Sequence, residues 1–293
     1  MIFRTDLALE KQEALADASP RGVLHAVKEE DGVRVTTICI RNEKGEQALG
    51  KPKGTYITLE MPTPLTDKML LSSLRRALSC ELQKLLPQEG TVLVAGLGNE
   101  SITPDALGPR AAKYLFATRH INGEIARVSG FDHLRPVAAL APGVLGQTGI
   151  ETAEILESVA RGISPAAVIV IDALSSRRLS RLGTTVQLTD TGLSPGSGVG
   201  NKRAEISLGT LGVPVVAIGV PTVVDGATLI ADWLDSYGID PRREPRFSQE
   251  SFMMVTPKEV DLLIDRAAQV VAMGINCALQ PTLSEQELLE LVK

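Results

Sequence analysis

Three short aliphatic runs most constrain what this chain can fold into: residues 91–95 (TVLVA), 167–171 (AVIVI) and 213–220 (VPVVAIGV). Runs of this length, closed by turn residues, suit strands buried on both faces of a sheet. Residues 184–188 (TTVQL) add a fourth strand. Between the strands the apolar spacing is helical, over residues 104–117, 150–161, 224–237 and 257–278. The last of these is expected to open with Thr256 as cap and Pro257 at the first helical position. Strands alternating with helices predict an α/β fold, a layered sheet flanked by helices.

The first sixty residues read as a polar helix followed by strands at 33–40 and 55–59, with Gly50 to Gly54 as a hairpin loop. A helix is expected over 67–86, stopped by Pro87. Residues 240–249 (DPRREPRFSQ) read as an exposed loop. With 44% hydrophobic and 22% charged residues the chain has ordinary globular composition. Its net charge of −5 and aromatic content of 3% argue against a nucleic-acid or anionic-membrane surface. Cys39, Cys80 and Cys277 show no metal or redox spacing, which suits a reducing cytoplasm. No export signal opens the chain, and the longest apolar run, 166–171, is far too short to span a membrane.

Three segments carry candidate chemistry. In GLGNESITPDALGP (96–109) a strand enters a glycine loop and then a helix start, with Thr103 as cap and Pro104 at the first position. Asp105 then sits in the first turn, where it either complements the helix dipole or does chemistry. In AAVIVIDALSSR (166–177) Asp172 falls at the carboxyl end of a central strand, the edge where open α/β sheets bind ligands. A hydrogen-bonded structural carboxylate is the alternative there. The two aspartates can meet above adjacent strands as a pair. The third segment, TDTGLSPGSGVGNKR (189–203), is shaped by its glycines. Gly196, Gly198 and Gly200, followed by Lys202 and Arg203, can cradle an anion or line an extended peptide. His25, His120 and His133 lack ligand spacing, so no metal and no cofactor is expected.

These stretches closely resemble the germination protease family of spore-forming bacteria. The resemblance is carried by RTDLALE (4–10), TPDALGP (103–109), TRH (118–120), PGVLGQTGIET (142–152), IDAL (171–174), DTGLSPGSGVGNKR (190–203), GVPTVVD (219–225) and VTPKEVD (255–261). It implies an α/β protease domain over residues 7–293, similar to hydrogenase-maturation endopeptidases, behind a short propeptide-like segment, residues 1–6. It also implies two essential aspartates, Asp105 and Asp172, and a zymogen that cuts itself at Asp6–Leu7. The implied substrates are small acid-soluble spore proteins, cut after an acidic residue and before an apolar residue followed by Ala. A homotetramer in the cytoplasm of the spore core is expected on the same ground.

Two neighbouring carboxylates share a proton, and one can activate water while the other polarises the carbonyl. The helix start favours an ionised Asp105 as base and the apolar strand end a protonated Asp172 as acid. Lys202 or Arg203 is expected to meet the acidic side chain of the substrate. The chain departs from the family pattern in its short stretch before RTDLA, in Ser175 after IDAL, in GFDHLRPV (130–137), and in a shortened segment between Tyr237 and Met253. Two rival readings remain: a metal-dependent endopeptidase with the aspartates as ligands, and a phosphate- or nucleotide-binding module built on the two glycine loops.

Overall fold

The aliphatic runs lie side by side at the centre of one mixed sheet. The computed structural model describes residues 3–15, 20–121, 123–128, 130–200, 203–241 and 253–292. Among these, nine strands are present: β1 (Val23–Glu30), β2 (Val33–Ile40), β3 (Gly54–Glu60), β4 (Val92–Gly96), β5 (Val137–Leu140), β6 (Ala167–Ser175), β7 (Thr185–Thr189), β8 (Val215–Asp225) and β9 (Met254–Val255). Their order is β1-β2-β3-β7-β8-β6-β4-β5, with β9 paired to β8. The half holding β8, β6, β4 and β5 is parallel. The half holding β1, β2, β3 and β7 is antiparallel, and β7 joins β8 antiparallel.

One face is covered by three helices, Leu71–Leu85, Leu107–Ala112 and Val260–Leu279, over Val92, Val94, Ile169, Ile171, Val216 and Ile218. Val260–Leu279 is long and apolar enough to cross a membrane, but 72% of its most apolar window is buried inside the protein, so it is a core helix. The other face is covered in two separate patches. Leu156 of helix Thr152–Ile163 and Leu211 of helix Leu208–Leu211 cover Leu93, Ala95, Val168 and Val170. Ala8 and Leu9 of helix Ala8–Glu13, with Leu49, cover Ile38, Ile40 and Tyr56. Between the patches lies a cleft of about 1010 Å³.

The predicted layering is present, with local differences. β1 was not anticipated because its side chains are almost all exposed, so it carries little alternation. The four-residue edge strand β5 was too short to signal itself. β2 and β3 are antiparallel neighbours, but their link holds a helix, Glu43–Leu49, before Gly50 takes a left-handed conformation. The helix expected from Pro257 begins at Val260, and the Thr256 hydroxyl bonds the Pro257 carbonyl instead of capping it. Beyond Pro241, the loop expected at 240–249 lies outside the described residues.

Candidate active site

β4 and β6 are adjacent and parallel, and the two aspartates arise at their carboxyl ends. β4 ends at Gly96, paired with Ile171. β6 continues to Ser175, so Asp172 is the first residue past its neighbour's end and pairs only with Gly219 of β8. Asp172 is 7% exposed and lines the cleft. Among the described residues, the Ala173 amide alone donates to its carboxylate, at 3.0 Å.

After β4 the chain turns through Gly98 and returns as a single 3-10 turn, Thr103–Asp105. The continuous helix expected over 104–117 is therefore split, because a separate α-helix starts only at Leu107. Thr103 does not cap it; its hydroxyl donates to Asp261 at 3.1 Å. The turn is held to β8 by the Thr222 hydroxyl, which donates to the Pro104 carbonyl at 2.8 Å. Asp105 thus lies just before the α-helix and not in its first turn. Its carboxylate accepts the Asn99 amide at 2.6 Å, from within the GLGN loop.

Gly98 sets this geometry. Its φ is +114°, and a Cβ there would fall 2.0 Å from the Asp105 carbonyl oxygen. Gly98→Ala must therefore displace the Asp105 turn. On the endopeptidase reading that the resemblance implies, at least about a hundredfold loss of peptide hydrolysis is expected, the scale of a 1 Å misplacement in a catalytic site. Steady-state kinetics on the purified variant, with its melting temperature, checks this.

Burial raises the pKa of Asp105, and the Asn99 amide opposes the shift. Burial raises Asp172 further, well above the ordinary carboxylate range, and the charges of Asp105 and then Asp6 add to it. Two carboxylates within each other's field in one low-dielectric cleft favour a state with one proton between them.

The same cleft holds Phe3 to Asp6. The Arg4 amide donates to the Thr228 hydroxyl at 3.0 Å, and the Arg4 guanidinium pairs with buried Asp225 at 3.4 Å. Asp6 is tied to the last residue of β6: its amide donates to the Ser175 carbonyl and its carboxylate accepts the Ser175 amide, both at 2.9 Å. The Ser197 hydroxyl donates to the other carboxylate oxygen at 3.0 Å. Gly198 lies so close that a Cβ would sit 2.0 Å from that carboxylate. Gly196 and Gly200, at φ +71° and +78°, bracket the intervening 3-10 turn. Leu7 is fully buried behind Asp6.

Arg203 lines the cleft and uses its amide on the Pro195 carbonyl; among the described residues it makes no ion pair with Asp6. Lys202 lies outside the described residues. Positive charge near Asp6 comes instead from Lys51 and Lys11, each of which feels the Asp6 charge. Enclosure by protein pushes Lys51 down to about 8 although the side chain keeps some surface exposure. Each glycine loop therefore already holds a carboxylate of this chain, Asp105 or Asp6, where the nucleotide reading would place phosphate. Among the described residues no three His, Cys, Asp or Glu side chains group as metal ligands.

Ser197, Lys51 and Gln187 were not singled out in the sequence. Gln187 had one signal, a long polar side chain inside a strand run, and Ser197 had another, its place between Gly196 and Gly198 in the glycine loop.

The model of one protein family, described as germination protease, matches residues 3–239. A germination protease of Caldanaerobacter subterraneus subsp. tengcongensis is 44% identical over a 319-residue alignment covering 99% of this chain and 98% of the relative. One from Priestia megaterium is 35% identical, covering 97% and 95%. Among solved structures, a NiFe hydrogenase maturation protease, HycI, of Thermococcus kodakarensis aligns with 68% of this chain and 98% of its own, at 17% identity and a TM-score of 0.40.

Proposed function

The chain belongs to the germination protease family and is an endopeptidase, and from that premise we propose that Asp105 and Asp172 activate water to begin the breakdown of small acid-soluble spore proteins during germination. The observation that carries the reading is that both aspartates line one cleft that also holds the segment Phe3 to Asp6, ending at the Asp6–Leu7 bond. The chain is a zymogen whose own Asp6–Leu7 bond is the first one cut, leaving residues 7–293 as the protease domain. It works in the cytoplasm of the spore core as a homotetramer. Ile230, Trp233 and Tyr237, exposed along one helical face at the end of the chain's helix Gly226–Ser236, offer apolar surface for such assembly.

In the proposed reaction Asp172, protonated, gives a hydrogen bond and then its proton to the scissile carbonyl oxygen. Asp105, ionised, takes a proton from water as the water oxygen attacks the carbonyl carbon. The C–N bond breaks as the leaving nitrogen takes the proton from Asp105, and the new carboxyl group returns a proton to Asp172. Activity falls at high pH as Asp172 loses its proton, and at low pH as Asp105 gains one.

Specificity for an acidic residue comes from the Ser175 amide, the Ser197 hydroxyl and the space above Gly198, within the field of Lys51 and Lys11. The expectation named Lys202 or Arg203 for that side chain; Arg203 makes no ion pair with Asp6 among the described residues, and Lys202 lies outside them. A hydrogen bond to a charged group is worth about 1.5–3 kcal/mol. Ser197→Ala should therefore lower the Asp-over-Asn preference in a matched peptide pair about tenfold, while Arg203→Ala leaves it unchanged. The opposite pattern returns recognition to the basic end of the loop.

The function itself is tested by following intact mass of the full chain at mildly acidic pH, with and without chelator. Loss of residues 1–6 in both conditions, and digestion of a small acid-soluble spore protein, is the expected result. Cleavage abolished by chelator would make the aspartates metal ligands.

A further inference from the structure

Gln187 stands in the middle of β7 and is only 6% exposed. A buried primary amide carries two donors and an acceptor that must be satisfied. The partners of Gln187 come from the N-terminal segment, about 180 residues away. Its Nε2 donates to the Asp6 carbonyl oxygen at 3.2 Å, and its Oε1 accepts the Ala8 amide at 2.8 Å. A carbonyl oxygen on one side and an N–H on the other leave a single orientation for the amide.

The carbonyl so held belongs to the Asp6–Leu7 peptide bond. Gln187 therefore grips the chain on both sides of that bond, where the segment passes from Asp6 into the start of helix Ala8–Glu13, and its contacts are to backbone, so they do not depend on side-chain identity. Its position relative to the aspartates follows from strand register. Gln187 pairs with Gly219, and Gly219 pairs with Asp172. Directly paired residues project from the same face of a sheet. Asp172 and Gln187 thus flank Gly219, two strand spacings or roughly 10 Å apart at the backbone. Thr58 continues the row on β3, fully buried, its hydroxyl without a partner among the described residues.

We propose that Gln187 is a third catalytic residue, whose side-chain N–H holds the scissile carbonyl oxygen and stabilises the charge that develops there as water adds. This rests on the reading of Asp6–Leu7 as a bond the enzyme cuts. A carbonyl oxygen has two lone pairs: Gln187 takes one and the Asp172 proton the other. As water attacks, the C=O electron pair moves onto oxygen between these two donors; Gln187 donates a hydrogen bond throughout and neither gains nor loses a proton. The Oε1 contact to Ala8 keeps the residue after the leaving nitrogen in line.

The test is the first-order rate of Asp6–Leu7 cleavage in the full chain, read by intact mass at two protein concentrations. Because the segment is tethered, this rate separates chemistry from substrate capture. Gln187→Met keeps the length and removes the donor; it should slow cleavage about 10²–10³-fold, the scale of losing one oxyanion donor, with the melting temperature recording the fold. Gln187→Glu should be as slow at neutral pH, and its rate relative to wild type should rise as pH falls, because a protonated Glu regains an O–H donor. A role in packing alone would not produce that pH-dependent recovery. Gln187→Met within threefold of wild type, or Gln187→Glu with a constant ratio to wild type, overturns the assignment while leaving the cleavage reading intact. A wild-type rate that scales with protein concentration shows that the docked bond is cut by another molecule, and overturns the assignment. A wild-type chain that cuts elsewhere, or not at all, removes the Asp6–Leu7 reading together with it.

Discussion

Asp172→Asn should fold normally and lose about 10²–10⁴-fold in peptide hydrolysis, the contribution of one acid–base group. Asparagine matches the shape and can still donate a hydrogen bond to the substrate carbonyl, but it has no proton to pass on. Stability should move the other way. The pKa of Asp172 is raised in the folded state, so wild type is most favoured where the group is protonated in both folded and unfolded chains, below about the ordinary value of 3.8. As pH rises from there through the raised folded value, the unfolded chain releases its proton first and wild type loses stability. The melting temperature of the asparagine variant relative to wild type should therefore rise from pH 4 to pH 8. Retention of more than a tenth of the activity would remove the two-carboxylate mechanism. A stability gap independent of pH would show that burial does not hold Asp172 protonated.

Arg181→Met should destabilise the protein by about 3–5 kcal/mol, the cost of leaving a buried charge without its partner. Arg181 is 7% exposed and pairs with Glu10 at 3.3 Å, Glu13 at 2.6 Å and Glu60 at 3.2 Å. Glu10, itself 1% exposed, also accepts the Arg177 amide at 2.6 Å and the Arg178 amide at 3.0 Å. The cluster ties helix Ala8–Glu13 to the segment that follows β6, and so fixes the approach of Asp6 to Ser175. Burial pushes the Glu13 pKa up, but the hydrogen bond and charge of Arg181, with Arg178 and Arg177, outweigh it and leave the value below normal. That contribution is present above the ordinary value of 4.5 and is lost as pH falls through the depressed folded value. The gap between wild type and Arg181→Met in denaturant melts should therefore narrow below about pH 4.5. Adding Glu10→Gln to Arg181→Met should recover part of the loss, because the orphaned charge is gone. A loss under 1 kcal/mol would show that water reaches the carboxylates.

The central strands, their alternation with helices and the position of both aspartates were legible because each is a local pattern. A strand buried on both faces is a run of aliphatic residues, and Asp172 interrupts such a run where the neighbouring strand β4 has ended. The glycine loops were legible for the same reason, since Gly98, Gly196 and Gly200 answer positive φ angles within their own turns. Asp105 was found for a reason that the fold changed. Its turn is 3-10 and faces an amide of its own loop, and burial raises its pKa against that amide.

The sequence by itself determined which residues can be strand, helix and turn, and that one carboxylate stands at a strand end and another in the turn after a glycine loop, because hydrophobic period and backbone conformation are properties of neighbours along the chain. Only the tertiary structure decided what those carboxylates meet. Ser175 and Ser197 close on Asp6, and Gln187 on the Asp6–Leu7 peptide, across separations of 169, 191 and 181 residues. Those contacts depend on the register of β6, β7 and β8 and on the path of the N-terminal segment over them. Register is a relation between distant strands, and no local period in the chain encodes it.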